Sequence, residues 1–159
     1  MGGRGGFYDF KATAHSGIII LAGIIKTKVG EKRDVLREKL EKVFDEKYQK
    51  TMVDKKTGQK WVMNIRVDRG SCKHIADDIL ANSVISERRI RHLDKWFKDA
   101  ALIKDETLYK TRSDHRVHFY YFKPPKRRIV FQVAKSYDEL PNGRRKYFYE
   151  LYCISKTIK

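Results

Sequence analysis

The sequence predicts an α+β fold: helices packed on one face of a four- to five-stranded antiparallel sheet. Three observations carry this expectation. Segments before residue 100 repeat apolar residues at helical spacing, which leaves an apolar stripe to be covered. From about residue 106 the pattern changes to period two, the mark of half-buried strands. The turns between those strands are short, so successive strands lie side by side as an antiparallel meander. A chain of 159 residues is long enough for one domain that buries a core without disulfides or metal.

The elements follow in order. Met1 to Gly6 is a glycine-rich tip, which is costly in backbone entropy to order. Gly17 to Ile25 is an apolar, Ile-rich run, expected as a buried strand. It falls short of the roughly 20 residues that span a bilayer. It also lacks the basic start and clear cleavage site of a signal peptide. From Glu31 to Lys50, Leu36, Leu40, Val43 and Phe44 recur at helical spacing, and Glu38 precedes Lys42 by one turn. Residues 1–50 therefore read as an arm, a strand and an amphipathic helix, and residues 51–159 as the main domain.

Lys55-Lys56-Thr57-Gly58 is a turn. Trp61, Met63, Ile65 and Val67 then alternate with polar residues as a strand. Ser71 is the expected N-cap of a short helix through Ile75, Ile79 and Leu80, broken at Asn82-Ser83. Ser86 caps a second helix, with Ile90, Leu93 and Phe97 on its inner face. Strands are expected over Thr107–Thr111, Val117–Phe122, Arg128–Lys135 and Tyr147–Ile154, with turns at Pro124-Pro125 and Leu140-Pro141-Asn142-Gly143.

Charge points to the partner. The chain carries 36 Lys and Arg against 20 Asp and Glu, a net +16. Such an excess repels itself in the compact state, and neutralising phosphates is its usual use, because each contact releases condensed counterions. From Lys110 to Lys159 there are 13 Lys or Arg and 4 Asp or Glu, a net +9. The runs Lys126-Arg127-Arg128 and Arg144-Arg145-Lys146 each begin a strand among Phe119, Tyr120, Tyr121, Phe122, Tyr147, Phe148, Tyr149 and Tyr152. Arginine interleaved with aromatics on a sheet is how single-stranded RNA is gripped, by backbone charge and base stacking. About half of those aromatics must face the core. Two cysteines, Cys72 and Cys153, form no disulfide scaffold and no zinc pattern, which fits a cytoplasmic protein.

No HExxH, P-loop or GxSxG motif occurs, so neither a metal nor an organic cofactor is expected. Metal-free RNA cleavage needs only a base for the 2′-OH, an acid for the leaving oxygen and cations for the phosphorane. His74 is the leading acid or base, in the first turn of a helix beside Lys73, where anions collect. His118 or Tyr152 would assist. Arg127, Arg128 and Lys156 would hold the phosphate, with Arg144, Arg145, Lys146, Ser155 and Thr157 extending the contact.

The order of these elements resembles that of the BECR-type nucleases, the group named for barnase, EndoU, colicin tRNases and RelE. It is most similar to the phage versions, found as toxin domains. The resemblance spans roughly Lys60 to Lys159. It rests on a strand running into a helix with His74, a second helix with Arg88, Arg89 and His92, and a sheet ending Ser155-Lys156-Thr157. It implies metal-independent endoribonuclease activity against tRNA or mRNA, and an immunity or antitoxin protein as a second partner. His74 matches the family's helical histidine. Arg127 or Arg128 and Ser155 to Thr157 match its strand positions. The alternative class is a non-catalytic nucleic-acid-binding regulator or inhibitor of phage or mobile-element type, for which the same basic face would serve. A third is a protein-binding adaptor whose charge meets an acidic partner.

Overall fold

A computed structural model of the chain describes residues 16–110 and 115–156. The glycine tip, His15 and Thr157 lie outside the described residues. Helix α1 (Ser16–Val43) takes in both the Ile-rich run expected as a strand and most of the segment expected as a helix. A short apolar run suits a buried strand or a helix equally. No proline separates it from the amphipathic segment, so one helix continues through both. The helix closes with the Phe44 amide donating to the Leu40 carbonyl at 3.0 Å. Among the described residues no helix is long and apolar enough to cross a membrane.

Strands β1 (Lys47–Val53) and β2 (Lys60–Arg66) form an antiparallel hairpin. The helix expected to reach Lys50 stops at Val43, and Lys47 to Lys50 belong to β1. Its own period-two pattern decides this, because Tyr48 and Met52 are buried while Lys47, Gln49 and Val53 are exposed. The β1–β2 turn has Gly58 at φ 72, in the left-handed region that favours glycine.

Helix α2 (Arg69–Asn82) is capped by Asp68 and not by Ser71. The Asp68 carboxylate accepts from the Ser71 amide at 2.9 Å, and the Asp68 amide donates to the Ser71 hydroxyl at 3.4 Å. This reciprocal capping box starts the helix one turn early. A 3₁₀ turn (Glu87–His92) leads into α3 (Leu93–Asp99), so the expected second helix is half 3₁₀. Ser86 precedes it as expected but its side chain makes no cap bond. Then come β3 (Ala101–Lys110), β4 (His115–Lys123), β5 (Ile129–Glu139) and β6 (Arg145–Lys156).

The four strands β3 to β6 form an antiparallel meander as expected, but β3 starts at Ala101, six residues before the expected Thr107, and Thr111 lies outside the described residues. The sheet as a whole is larger and mixed. Its order is β1-β2-β6-β5-β4-β3, six strands among the described residues. The one parallel pair joins β2 to β6 and covers only Ile65 opposite Tyr149 and Arg66 opposite Glu150. Parallel neighbours need a long crossover, and everything from α2 to β5 intervenes between these two strands.

Leu40, Ile75, Leu93 and Phe97 bring α1, α2 and α3 onto one core with Met63, Phe131 and Leu151 of the sheet. Phe97 is fully buried, edge-on to Phe122 and tilted against Phe131 at 4.9 Å. Lys50, from β1, closes the end of α3. Its ammonium donates to the carbonyls of Phe97, Lys98 and Ala100 at 2.5, 3.1 and 2.7 Å. It also lies over the rings of Phe97 and Phe122 at 5.2 and 5.5 Å. Replacing Lys50→Met keeps the stem and leaves three carbonyls without their donor. Urea denaturation is expected to show a loss of about 1–3 kcal/mol.

Candidate functional site

The site forms where β6 parts from β2. Past the two-residue bridge one edge of β6 is open, and α2 runs along it. The Ile154 amide donates to the Asp78 carboxylate at 3.1 Å across that edge. Within β6 the register with β5 steps from Cys153 to Leu151, past Tyr152. Such a bulge bends a strand and re-aims a side chain. The Tyr152 ring lies against His74 at 5.0 Å and 35°, and against Phe119 at 5.6 Å. Ile75, Ala76 and Ile79 bury the inner side of α2, which leaves His74 and Lys73 exposed at its start.

Two carboxyl groups adjoin this pair. Glu150 accepts from the Ser136 hydroxyl at 3.3 Å. Burial, with the Asp68 carboxylate, holds Glu150 above the usual carboxylate range, against the opposing pull of Ser136, Arg66 and His74. Burial likewise raises Asp78, against the Ile154 amide and the charge of His74. His74 thus acts on both carboxyls. Arg66, opposite Glu150 in the parallel register, lies over Phe148 with its guanidinium carbon 3.6 Å from the ring centre.

Of the residues named from the sequence, the structure brings His74 and Tyr152 into contact, with Lys73 next to His74 on α2. Glu150, Arg66, Asp78 and Ser136 were missed. One signal was available: Glu150 is the single acidic residue in the run Tyr147 to Ile154, and a carboxylate inside an apolar strand is rarely idle. Nothing in the sequence marked the other three, because their approach depends on strand pairing.

The remaining expected residues lie elsewhere. His118 does not join His74. Phe119 faces Tyr152, so its neighbour His118 points to the opposite side of the sheet. There its Nδ1 lies 2.7 Å from the Thr107 hydroxyl and its Nε2 2.9 Å from Asp105. The two basic runs also separate. Lys156 stands opposite Ile129 at one end of the β5–β6 hairpin, and Arg145 opposite Glu139 at the other. The 11 residues of β5 put roughly 35 Å between them, at about 3.4 Å per residue. Arg127, Arg128 and Lys156 line a cleft at the first end, with Ser155 exposed next to it. Arg145 packs on Tyr137 at 4.3 Å at the second, where Lys146 faces Asp138 and Arg144 follows the turn. The single basic face expected from the sequence is thus two patches, because a hairpin carries its strand starts to opposite ends.

Aromatics and cations do interleave on the sheet. Tyr137 and Tyr147 meet at 5.9 Å, Lys135 lies 4.9 Å over Tyr147, and Tyr149 touches Tyr120 and Trp61. Phe119 and Phe122 are core, on opposite faces of β4. Comparison of the chain with protein-family models, with curated proteins and with solved structures finds no match.

The raised carboxyl of Glu150 has a consequence for stability. A carboxyl whose pKa is higher folded than unfolded favours the fold at low pH, and that contribution is lost as pH rises through the folded value. Glu150→Gln is therefore expected to melt at a higher temperature than the parent at pH 7. The difference should vanish near pH 3, in scanning calorimetry at both pH values.

Proposed function

We propose that this protein is a metal-independent endoribonuclease of the BECR type, cutting RNA at the cluster of His74, Tyr152 and Glu150. The observation that carries the reading is the placement of one exposed imidazole on Tyr152, within electrostatic reach of a half-buried carboxyl held above its ordinary range. An imidazole and a carboxyl with different environments are what acid–base cleavage requires. Glu150 takes the proton of the 2′-OH, whose oxygen attacks phosphorus. His74 gives a proton to the departing 5′-oxygen, and a 2′,3′-cyclic phosphate remains. Arg66 and Lys73 offset the charge that builds on the phosphorane. The early histidine of α2, the helical segments after it and the β3–β6 meander are the elements on which the family resemblance rests.

The aromatic and basic parts of the sheet suit RNA over duplex DNA, since bases must be unstacked to reach them. The net charge of +16 fits binding through phosphates. As a toxin in the cytosol of a host cell, the enzyme would be held in check by an immunity or antitoxin protein presenting carboxylates to the same cations.

Incubation with total tRNA in EDTA tests the reading. Cleavage is expected to persist in EDTA and to fall by about 10²–10⁴-fold in His74→Ala and in Glu150→Gln. RNA affinity in those variants should stay within about twofold of the parent. Intact RNA, bound tightly by the parent and released by salt, overturns the enzyme and leaves the non-catalytic RNA-binding protein. The pH profile is a separate check. With Glu150 as base, the acidic limb of the rate lies above the ordinary carboxylate range.

A further inference from the structure

Where β5 begins, the residues of three segments enclose a cleft of about 480 Å³. Val84, Ile85 and Ile129 give it a buried apolar floor. Arg89, Lys126, Arg127, Arg128 and Lys156 line it, and no carboxylate does. All five cations are exposed. Among the described residues none of them forms an ion pair with an acidic side chain. Asp99 lines the neighbouring hollow with His92 and Pro124.

Trp96 organises the cations. It is 7% exposed and held at the head of the cleft by α3. The guanidinium of Arg89 lies 5.2 Å from its ring centre and that of Arg127 4.8 Å, while His92 stacks on it at 5.5 Å and 25°. Two like charges are thus held on one ring, which lowers the entropy lost when both engage a ligand. Lys126 adds a local strain. Its φ of 59 lies in the left-handed region, which is strained for a residue with a Cβ.

We propose that this cleft binds the terminal nucleotide of an RNA through its phosphate monoester. A monoester carries close to two negative charges at neutral pH and offers three oxygens to braced guanidiniums. An internal diester carries only one. The volume is in the range of small-ligand sites, and the apolar floor suits a ribose or base behind the phosphate. The cleft shares no residue with the His74 cluster, so it holds whether or not that cluster cleaves.

The test uses the full chain and one short 2′-O-methyl oligonucleotide, which 2′-OH attack cannot cut. It is prepared with a 5′-phosphate, a 3′-phosphate or hydroxyls at both ends, and titrated calorimetrically. At least one phosphorylated end is expected to bind about tenfold or more tighter than the hydroxyl form. That preference should collapse in Arg127→Gln and in Arg89→Gln and persist in His74→Ala. Circular dichroism melts check that the two glutamine variants fold; both sites are exposed, so the parent melting temperature is expected. Equal affinity for all three oligonucleotides overturns the proposal. So does a phosphate preference that survives both glutamine variants.

Discussion

The molecule turns on a parallel bridge of two residue pairs, Ile65 with Tyr149 and Arg66 with Glu150. It joins an N-terminal hairpin to a C-terminal meander that would otherwise be a separate sheet. Because the bridge is so short, β6 emerges from it with an open edge. An open edge must be covered or paired. Here α2 covers it, and the Asp78 carboxylate stands in for a strand by accepting from Ile154. The same arrangement sets His74 over the bulge at Tyr152 and puts Arg66 opposite Glu150 in the register.

That geometry explains the electrostatics of the site. Glu150 and Asp78 are half-buried because a helix lies where solvent would be, and burial dominates the shift of each. Cations in turn need support in a chain of net +16. The structure supplies it by seating them on rings. Arg66 lies on Phe148, Arg145 on Tyr137, Lys135 on Tyr147, and Arg89 and Arg127 on Trp96. A guanidinium on an aromatic face keeps its outward N–H groups for a ligand.

The proposed functions divide along the same lines. Acid–base chemistry belongs to the β6 edge, where two protonatable groups sit in different surroundings. Phosphate capture belongs to the end of the β5–β6 hairpin where β5 begins, at the cleft lined by Arg89, Lys126, Arg127, Arg128 and Lys156.

Much was legible in the sequence because it depends on local periodicity. The meander from β3 to β6, the breaks at Asn82-Ser83 and Pro124-Pro125, and the core face of Ile90, Leu93 and Phe97 all follow from spacing and turn chemistry. The Ile-rich run was not, since nine apolar residues satisfy two periods at once and only their continuity with α1 selects one. Tertiary structure alone decided the parallel bridge, the sixfold sheet, the approach of Glu150 and Arg66 to His74, the exile of His118 to the other face and the parting of the two basic runs. Each of these depends on which strands pair and in which register, and pairing across more than 80 residues of chain leaves no mark in the local pattern of either partner.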